Sequence, residues 1–218
     1  HTSGVHDYTA LGPKWEQVQP FGLSDDELLA LWKDMPLDFA PGQNWNYSNS
    51  GYYLLGMVIA KVSGQSYADF LREAFFEPLE LTRTRYDSNA EVILNRAQGY
   101  AFGDGKFWND RIVGMSQPGA AGALMSTAND LVRWLHAVLT GHEGAPESYL
   151  EMTTPFMLNN GQETGYGMGL MLDTQAGEPR LWHGGGIHGF NSVLLYFPGE
   201  KLSLGLISNS QRLRAAAL

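Results

Sequence analysis

Apolar residues fall along this chain in two rhythms, and the rhythm changes near Gly165. Before it, short apolar runs follow helix-start signals. Ser24-Asp25-Asp26-Glu27 has the form of a capping box, in which serine and glutamate satisfy free N–H groups of the first turn. It predicts a helix from Ser24 through Leu28-Leu29-Ala30-Leu31-Trp32, stopped by Pro36. The segment from Ser50 to Ser63 is apolar on nearly every face, which predicts a buried helix with Gly64 as its C-cap. Ser66-Tyr67-Ala68-Asp69 caps a further helix to about Phe76, ended by Pro78. Residues 82–122 are rich in Gly, Asn and Asp and are read as loops. Thr127-Ala128-Asn129-Asp130 caps a helix through Leu139, stopped by Gly141, and a short helix is expected near Ser148–Met152.

After Gly165 the spacing suits strands at 166–173, 179–185, 190–197 and 201–208, with Pro198-Gly199-Glu200-Lys201 as a hairpin turn. The expected organisation is one domain over residues 1–218. Its first part, 1–164, is mostly helix and loop, and 165–210 is an antiparallel β-meander. This is an α+β fold, an antiparallel sheet flanked by helices plus a mostly helical subdomain.

Composition narrows the function classes. With 44% hydrophobic and 17% charged residues among 218, a sizeable core is affordable and global disorder is not expected. The formal charge is −9 and no basic patch stands out, so no nucleic-acid partner is expected. There are no cysteines, which removes disulfides and thiolate chemistry. No run of about eighteen apolar residues occurs. His1-Thr2-Ser3-Gly4 shows no initiator Met and no leader pattern, while Gln211–Leu218 reads as the start of a helix. Both ends are therefore expected to be incomplete.

The chemistry begins with two tripeptides, Tyr47-Ser48-Asn49 and His183-Gly184-Gly185. Chance alone yields Tyr-x-Asn about 0.5 times and His-x-Gly about 0.7 times in such a chain. His-x-Gly in fact also occurs at His142-Glu143-Gly144, so neither tripeptide is informative alone. The surroundings are informative. Phe39-Ala40-Pro41-Gly42 precedes Tyr47, and Ser50-Gly51-Tyr52 leads into the apolar helix. Gly119-Ala120-Ala121-Gly122 precedes a capped helix, and Gly165-Tyr166-Gly167-Met168-Gly169 opens the strand region. His183-Gly184-Gly185-Gly186-Ile187-His188-Gly189 joins two strands. With His1-Thr2-Ser3-Gly4, this order resembles the serine β-lactamase and penicillin-binding-protein superfamily, in its class C-like branch of DD-peptidases, D-aminopeptidases and esterases. The resemblance runs from residue 1 to about 210.

That resemblance implies three elements: Ser-x-x-Lys with the nucleophile, Tyr-x-Asn, and Lys-Thr-Gly or His-x-Gly on a strand. A serine hydroxyl needs an adjacent base to attack, and a tyrosine near that base can pass protons to the leaving group. By resemblance Tyr47 takes the acid/base role and Asn49 orients substrate and lysine. His183 lines the cleft, and Gly184, Gly185 and Gly186 let substrate lie along the strand edge. The Gly186 N–H would donate to an oxyanion. His188 is either an exposed turn residue or a substrate contact. No cofactor or metal is expected; His-Glu-x-x-His does not occur. Ser66 is read as a helix cap, not a nucleophile, and His142 as solvent-exposed. Plainer roles remain open: Tyr47 as packing, Asn49 as an N-cap, His183 as a satisfied strand histidine, the glycines as a bulge.

No serine stands three residues before Lys14, Lys33, Lys61, Lys106 or Lys201, so Ser-x-x-Lys is not in these residues. An N-terminal segment or a companion chain is expected to supply it; alone, the chain would lack its nucleophile. The expected activity of the complete protein is acyl-enzyme hydrolysis of an amide or ester in a small-molecule or peptide substrate. His rather than Lys at 183 ranks peptidase or esterase above β-lactamase. The alternatives are a class C-like β-lactamase and a penicillin-recognising protein that binds without turnover. The family resemblance favours a periplasmic or secreted location.

Overall fold

The computed structural model describes residues 1–140 and 146–212. The second histidine tripeptide, at His142, and the helix expected to begin near the C-terminus fall largely outside those residues. The chain opens with a 3-10 turn at Tyr8–Ala10, followed by α1 (Pro13–Glu16) and α2 (Asp25–Leu29). The capping box forms as expected: Ser24 accepts from the Glu27 N–H, and the Glu27 carboxylate accepts from the Ser24 N–H. Helix α3 (Asn49–Ser63) begins at Ser48, whose hydroxyl accepts the Gly51 N–H, and ends at Gly64 with φ +71°. Gly64 thus takes a left-handed conformation at no steric cost. Helix α4 (Tyr67–Leu71) continues into a π-helical turn at Arg72–Phe76.

The region read as loops contains three strands and part of a fourth pairing. Strands β1 (Arg85–Tyr86) and β4 (Leu124–Met125) pair across it, while β2 (Tyr100–Gly103) and β3 (Lys106–Asn109) form a hairpin. Asp104 and Gly105, both at positive φ, make the turn. An Asp-Gly pair between short apolar runs is a hairpin signal, and the surrounding glycines masked it.

After α5 (Ala128–Thr140) and α6 (Pro146–Thr153) comes a four-stranded antiparallel sheet in sequential order. Its strands are β5 (Met171–Gln175), β6 (Glu178–Ile187), β7 (Phe190–Phe197) and β8 (Leu202–Ser208). The first begins five residues later than the pattern suggested. Gly165 and Gly169, at φ +66° and +83°, turn Tyr166-Gly167-Met168 into a loop, leaving Tyr166 one isolated bridge to Met171. β6 in contrast runs through its glycines without a bulge, since Gly184, Gly185 and Gly186 pair in step with Val193, Ser192 and Asn191.

Among the described residues two larger cores hold the fold, beside a small cluster of Val193 and Leu195 on β7. Helix α5 lies over β7 and β8, and Leu135 and Leu139 pack with Leu170, Leu181 and Tyr196. Gly205 on β8 permits the approach: a Cβ there would stand 2.8 Å from Val132 Cγ2. The second core joins Tyr8, Leu28, Trp32 and Tyr53. Burying a leucine as fully as Leu28 stabilises by about 1.5–3 kcal/mol. Helix α3 is not the fully buried helix its composition suggested. Its Ser50, Tyr53 and Gly56 face the interior, whereas Leu55, Val58 and Val62 are 52%, 55% and 83% exposed. An apolar circumference is buried only where another element covers it. Here the 3-10 turn Gly119–Ala121 covers one face, so closely that a Cβ on Gly56 would stand 2.4 Å from Ala120 Cβ.

Candidate active site

The N-terminal block threads the site together. His1 C=O accepts the Asn46 N–H, Thr2 C=O the Gly42 N–H, and Gly4 C=O the Asp38 N–H. Gly4 sits at φ +75°, and a Cβ there would strike Phe39 O at 2.0 Å, so glycine is needed for this approach. The strip of chain from 38 to 46 is thereby held against the N-terminus and carries Tyr47 to the start of α3. Asn159 fixes the same strip from the other side, its N–H donating to Gly42 O and its Nδ2 to Pro41 O.

Tyr47 belongs to an aromatic group with His1, Tyr52, Tyr166 and His183. Its ring centroid lies 4.0 Å from His1 and 6.2 Å from His183. Burial, then Tyr52 and the charge of Asp7, push the Tyr47 phenol above its ordinary pKa. It is therefore a protonated phenol at neutral pH, able to give a proton; acting as a base would require a nearby cation.

Asn49 is the first residue of α3, and the cap is Ser48. Its Nδ2 donates to Asp7 Oδ2 and to Thr9 Oγ1, each at 3.2 Å. Asp7 also accepts the backbone N–H groups of Thr9 and Asn49 and the Thr9 hydroxyl. A carboxylate cannot donate, so these contacts fix which end of the Asn49 amide faces Asp7.

On β6, His183 is hydrogen-bonded at both ring nitrogens. Nδ1 lies 2.7 Å from Gly184 O and Nε2 lies 3.1 Å from the Tyr166 hydroxyl. Burial lowers its pKa, and the Gly184 carbonyl opposes that. Tyr166, only 4% exposed, has its phenol pushed far up by burial and then by Tyr52. From His183 to Ile187 the β6 edge away from β7 has no ladder partner among the described residues, because β5 pairs only with 178–182. Backbone groups of that edge are available to an extended ligand.

A cavity of about 500 Å³ opens beside this edge, lined by Tyr8, Thr9, Asn49, Gly186, His188 and Asn191 among others. The sequence-derived residues thus divide. Asn49, Gly186 and His188 line the cavity, whereas Tyr47 and His183 belong to the neighbouring aromatic group; Gly184 and Gly185 lie on the strand between them. His188 is half-buried, its Nδ1 is buried without a partner, and burial followed by Arg111 lowers its pKa. Ser66 is the N-cap of α4, accepting from Asp69 N–H. No group of three metal-ligating side chains converges among the described residues.

Residue-by-residue reading missed His1, Asp7 and Tyr166 as site residues. His1 and Tyr166 sat inside recognised blocks without a role, and nothing in the sequence marked Asp7. Gln117 was also missed. It is fully buried and its Nε2 donates to Val18 O and Phe21 O while Oε1 accepts Trp15 Nε1–H, tying the 15–21 segment to its own beside the cavity.

The family described as beta-lactamase matches residues 1–217. A penicillin-binding protein of Bacillus subtilis is 27% identical over 97% of this chain and 50% of its own length. Among solved structures, a D-stereospecific amidohydrolase from a Streptomyces species is 31% identical with a TM-score of 0.81, covering 96% of this chain and 65% of that one. A D-amino acid amidase from Ochrobactrum anthropi, complexed with L-phenylalanine amide, is 29% identical with a TM-score of 0.81, covering 96% and 62%. The chain spans half or less of the length of the curated relatives it matches.

Proposed function

Because this chain belongs to the beta-lactamase family, we propose that the whole protein is a serine hydrolase acting through an acyl-enzyme on an amide or ester, with D-amino-acid amides and peptides preferred over β-lactams. One observation carries the reading. The Tyr-x-Asn segment and the His-x-Gly strand meet twice, through the Tyr47 and His183 rings at 6.2 Å and through Asn49 and Gly186 in one cavity lining.

In this reading a substrate strand lies along the free edge of β6 at Gly184–Gly186, with the Gly186 N–H as an oxyanion donor. Asn49, with Nδ2 committed to Asp7 and Thr9, offers its Oδ1 as an acceptor, suited to an ammonium or a substrate N–H. Tyr47, a protonated phenol, gives its proton to the departing amine or alcohol. His188 contacts the substrate from the far end of the cavity. The attacking serine and its lysine lie outside the 218 residues, which hold no Ser-x-x-Lys. The chain by itself then binds without turnover.

The test is on the whole protein. Labelling by a fluorophosphonate, and a burst on short p-nitrophenyl esters followed by turnover of D-amino-acid amides, are expected. No label together with no burst overturns the hydrolase reading in favour of a binding protein; nitrocefin turnover faster than amide turnover overturns the substrate ranking.

A further inference from the structure

The hydrogen bonds around His183 are all satisfied by a neutral ring protonated on Nδ1. Ser48 N–H can only donate, and it meets His1 Nδ1 at 3.0 Å, so His1 is unprotonated there and carries its proton on Nε2. That Nε2 lies 3.2 Å from the Tyr166 oxygen and donates to it. Tyr52 also hydrogen-bonds Tyr166, and its own oxygen accepts the Gly169 N–H. The Tyr166 oxygen accepts from His1, and a neutral His183 with a bare Nε2 takes the single Tyr166 proton across 3.1 Å. On the other side of the ring, Gly184 O can only accept, so His183 Nδ1 bears the proton. No step in this chain is left without a donor or an acceptor.

We propose that Tyr166, with His1 behind it, holds His183 as a neutral Nδ1–H imidazole with both nitrogens occupied, so that the β6 edge beside it receives uncharged substrate groups and rejects a carboxylate. Tyr166 and His1 are positioning residues, acting through His183. The inference rests on the hydrolase reading only for its substrate arm. It differs from what His-x-Gly suggested by itself, since an imidazole with both nitrogens filled has no donor left for an anion. Burial lowers the His183 pKa and the Gly184 carbonyl opposes it. Among the described residues the cavity lining contains neither Lys nor Arg; Arg111 acts on His188 at that lining. A carboxylate set against His183 would lose water and find no donor on the filled ring.

Two arms test this separately. In the first, long-range ¹⁵N–¹H correlation spectra of the whole protein at pH 7 report imidazole tautomers, with His183→Gln identifying the His183 signals. The Nδ1–H form is expected. In Tyr166→Phe the ring should keep the Nδ1 proton that Gly184 O accepts but titrate at higher pH, because a donor to the neutral ring is gone. An Nε2–H form or an imidazolium in the wild type overturns the proposal, whether or not the variant folds. So does an unchanged His183 titration in a folded Tyr166→Phe. The second arm compares D-alanyl-D-alanine with its C-terminal amide. The free acid should be cleaved at least about tenfold less efficiently. Equal kcat/KM overturns the specificity claim. Absence of turnover on both bears on the hydrolase reading and leaves the tautomer result standing.

Discussion

Asn49 points its amide nitrogen at Asp7, 3.2 Å from Oδ2, forty-two residues away along the chain. The contact does two jobs. It anchors the first turn of α3 to the loop before the Tyr8–Ala10 turn, and it sets the Asn49 amide so that oxygen, not nitrogen, is left for a ligand. Asp7→Ala should remove acceptors from two backbone N–H groups and the Asn49 side chain. A loss of about 1–3 kcal/mol is expected from the stranded donors. Urea denaturation measures it, and a change below a few tenths would mean that water replaces the carboxylate without cost.

Tyr47→Phe should lower kcat of the whole protein by about 10²–10⁴-fold, the usual contribution of one proton-transfer group. The fold should survive, since the ring contacts with His1 and His183 remain. Circular dichroism checks the second expectation and steady-state kinetics the first. Undiminished kcat would remove the phenol from the reaction.

Gly56→Ala sets two effects against each other. Helix propensity alone favours alanine by about 1 kcal/mol. The new Cβ, however, would stand 2.4 Å from Ala120 Cβ, where no real pair of carbons sits. Forcing α3 off the Gly119–Ala121 turn should cost about 1–3 kcal/mol, so a net loss is expected. A raised melting temperature would show that the turn yields.

Acid should destabilise the fold through its buried imidazoles. His183 and His188 both have folded-state pKa values below the ordinary 6.5, so the unfolded chain binds protons first as pH falls. Their contribution is fully present above about pH 6.5 and is lost as pH falls through that value towards their folded values. Urea midpoints compared at pH 8 and pH 5 should fall less in His183→Gln than in the wild type. Equal falls would indicate that carboxylates elsewhere dominate.

Local chemistry made part of this molecule legible in the sequence. The capping box at Ser24, the Gly64 cap, the Thr127 start of α5 and the Pro198–Lys201 turn depend on residues within a few positions of each other, and all four form. Order of blocks was legible too, which is why the α+β class and the family could be expected before any coordinates. Three things were decided only by tertiary structure. Coverage decided that α3 shows Leu55, Val58 and Val62 to solvent, because burial depends on neighbours and not on composition. Long-range polar partners decided the site: Asp7 reaches Asn49 across forty-two residues, and Tyr166 reaches His1 across 165. Hydrogen-bond partners then decided the surroundings of His183. A sequence can place a histidine on a strand beside three glycines, but its protons are set by what stands around the ring, and here the Tyr166 hydroxyl and the Gly184 carbonyl stand at its two nitrogens.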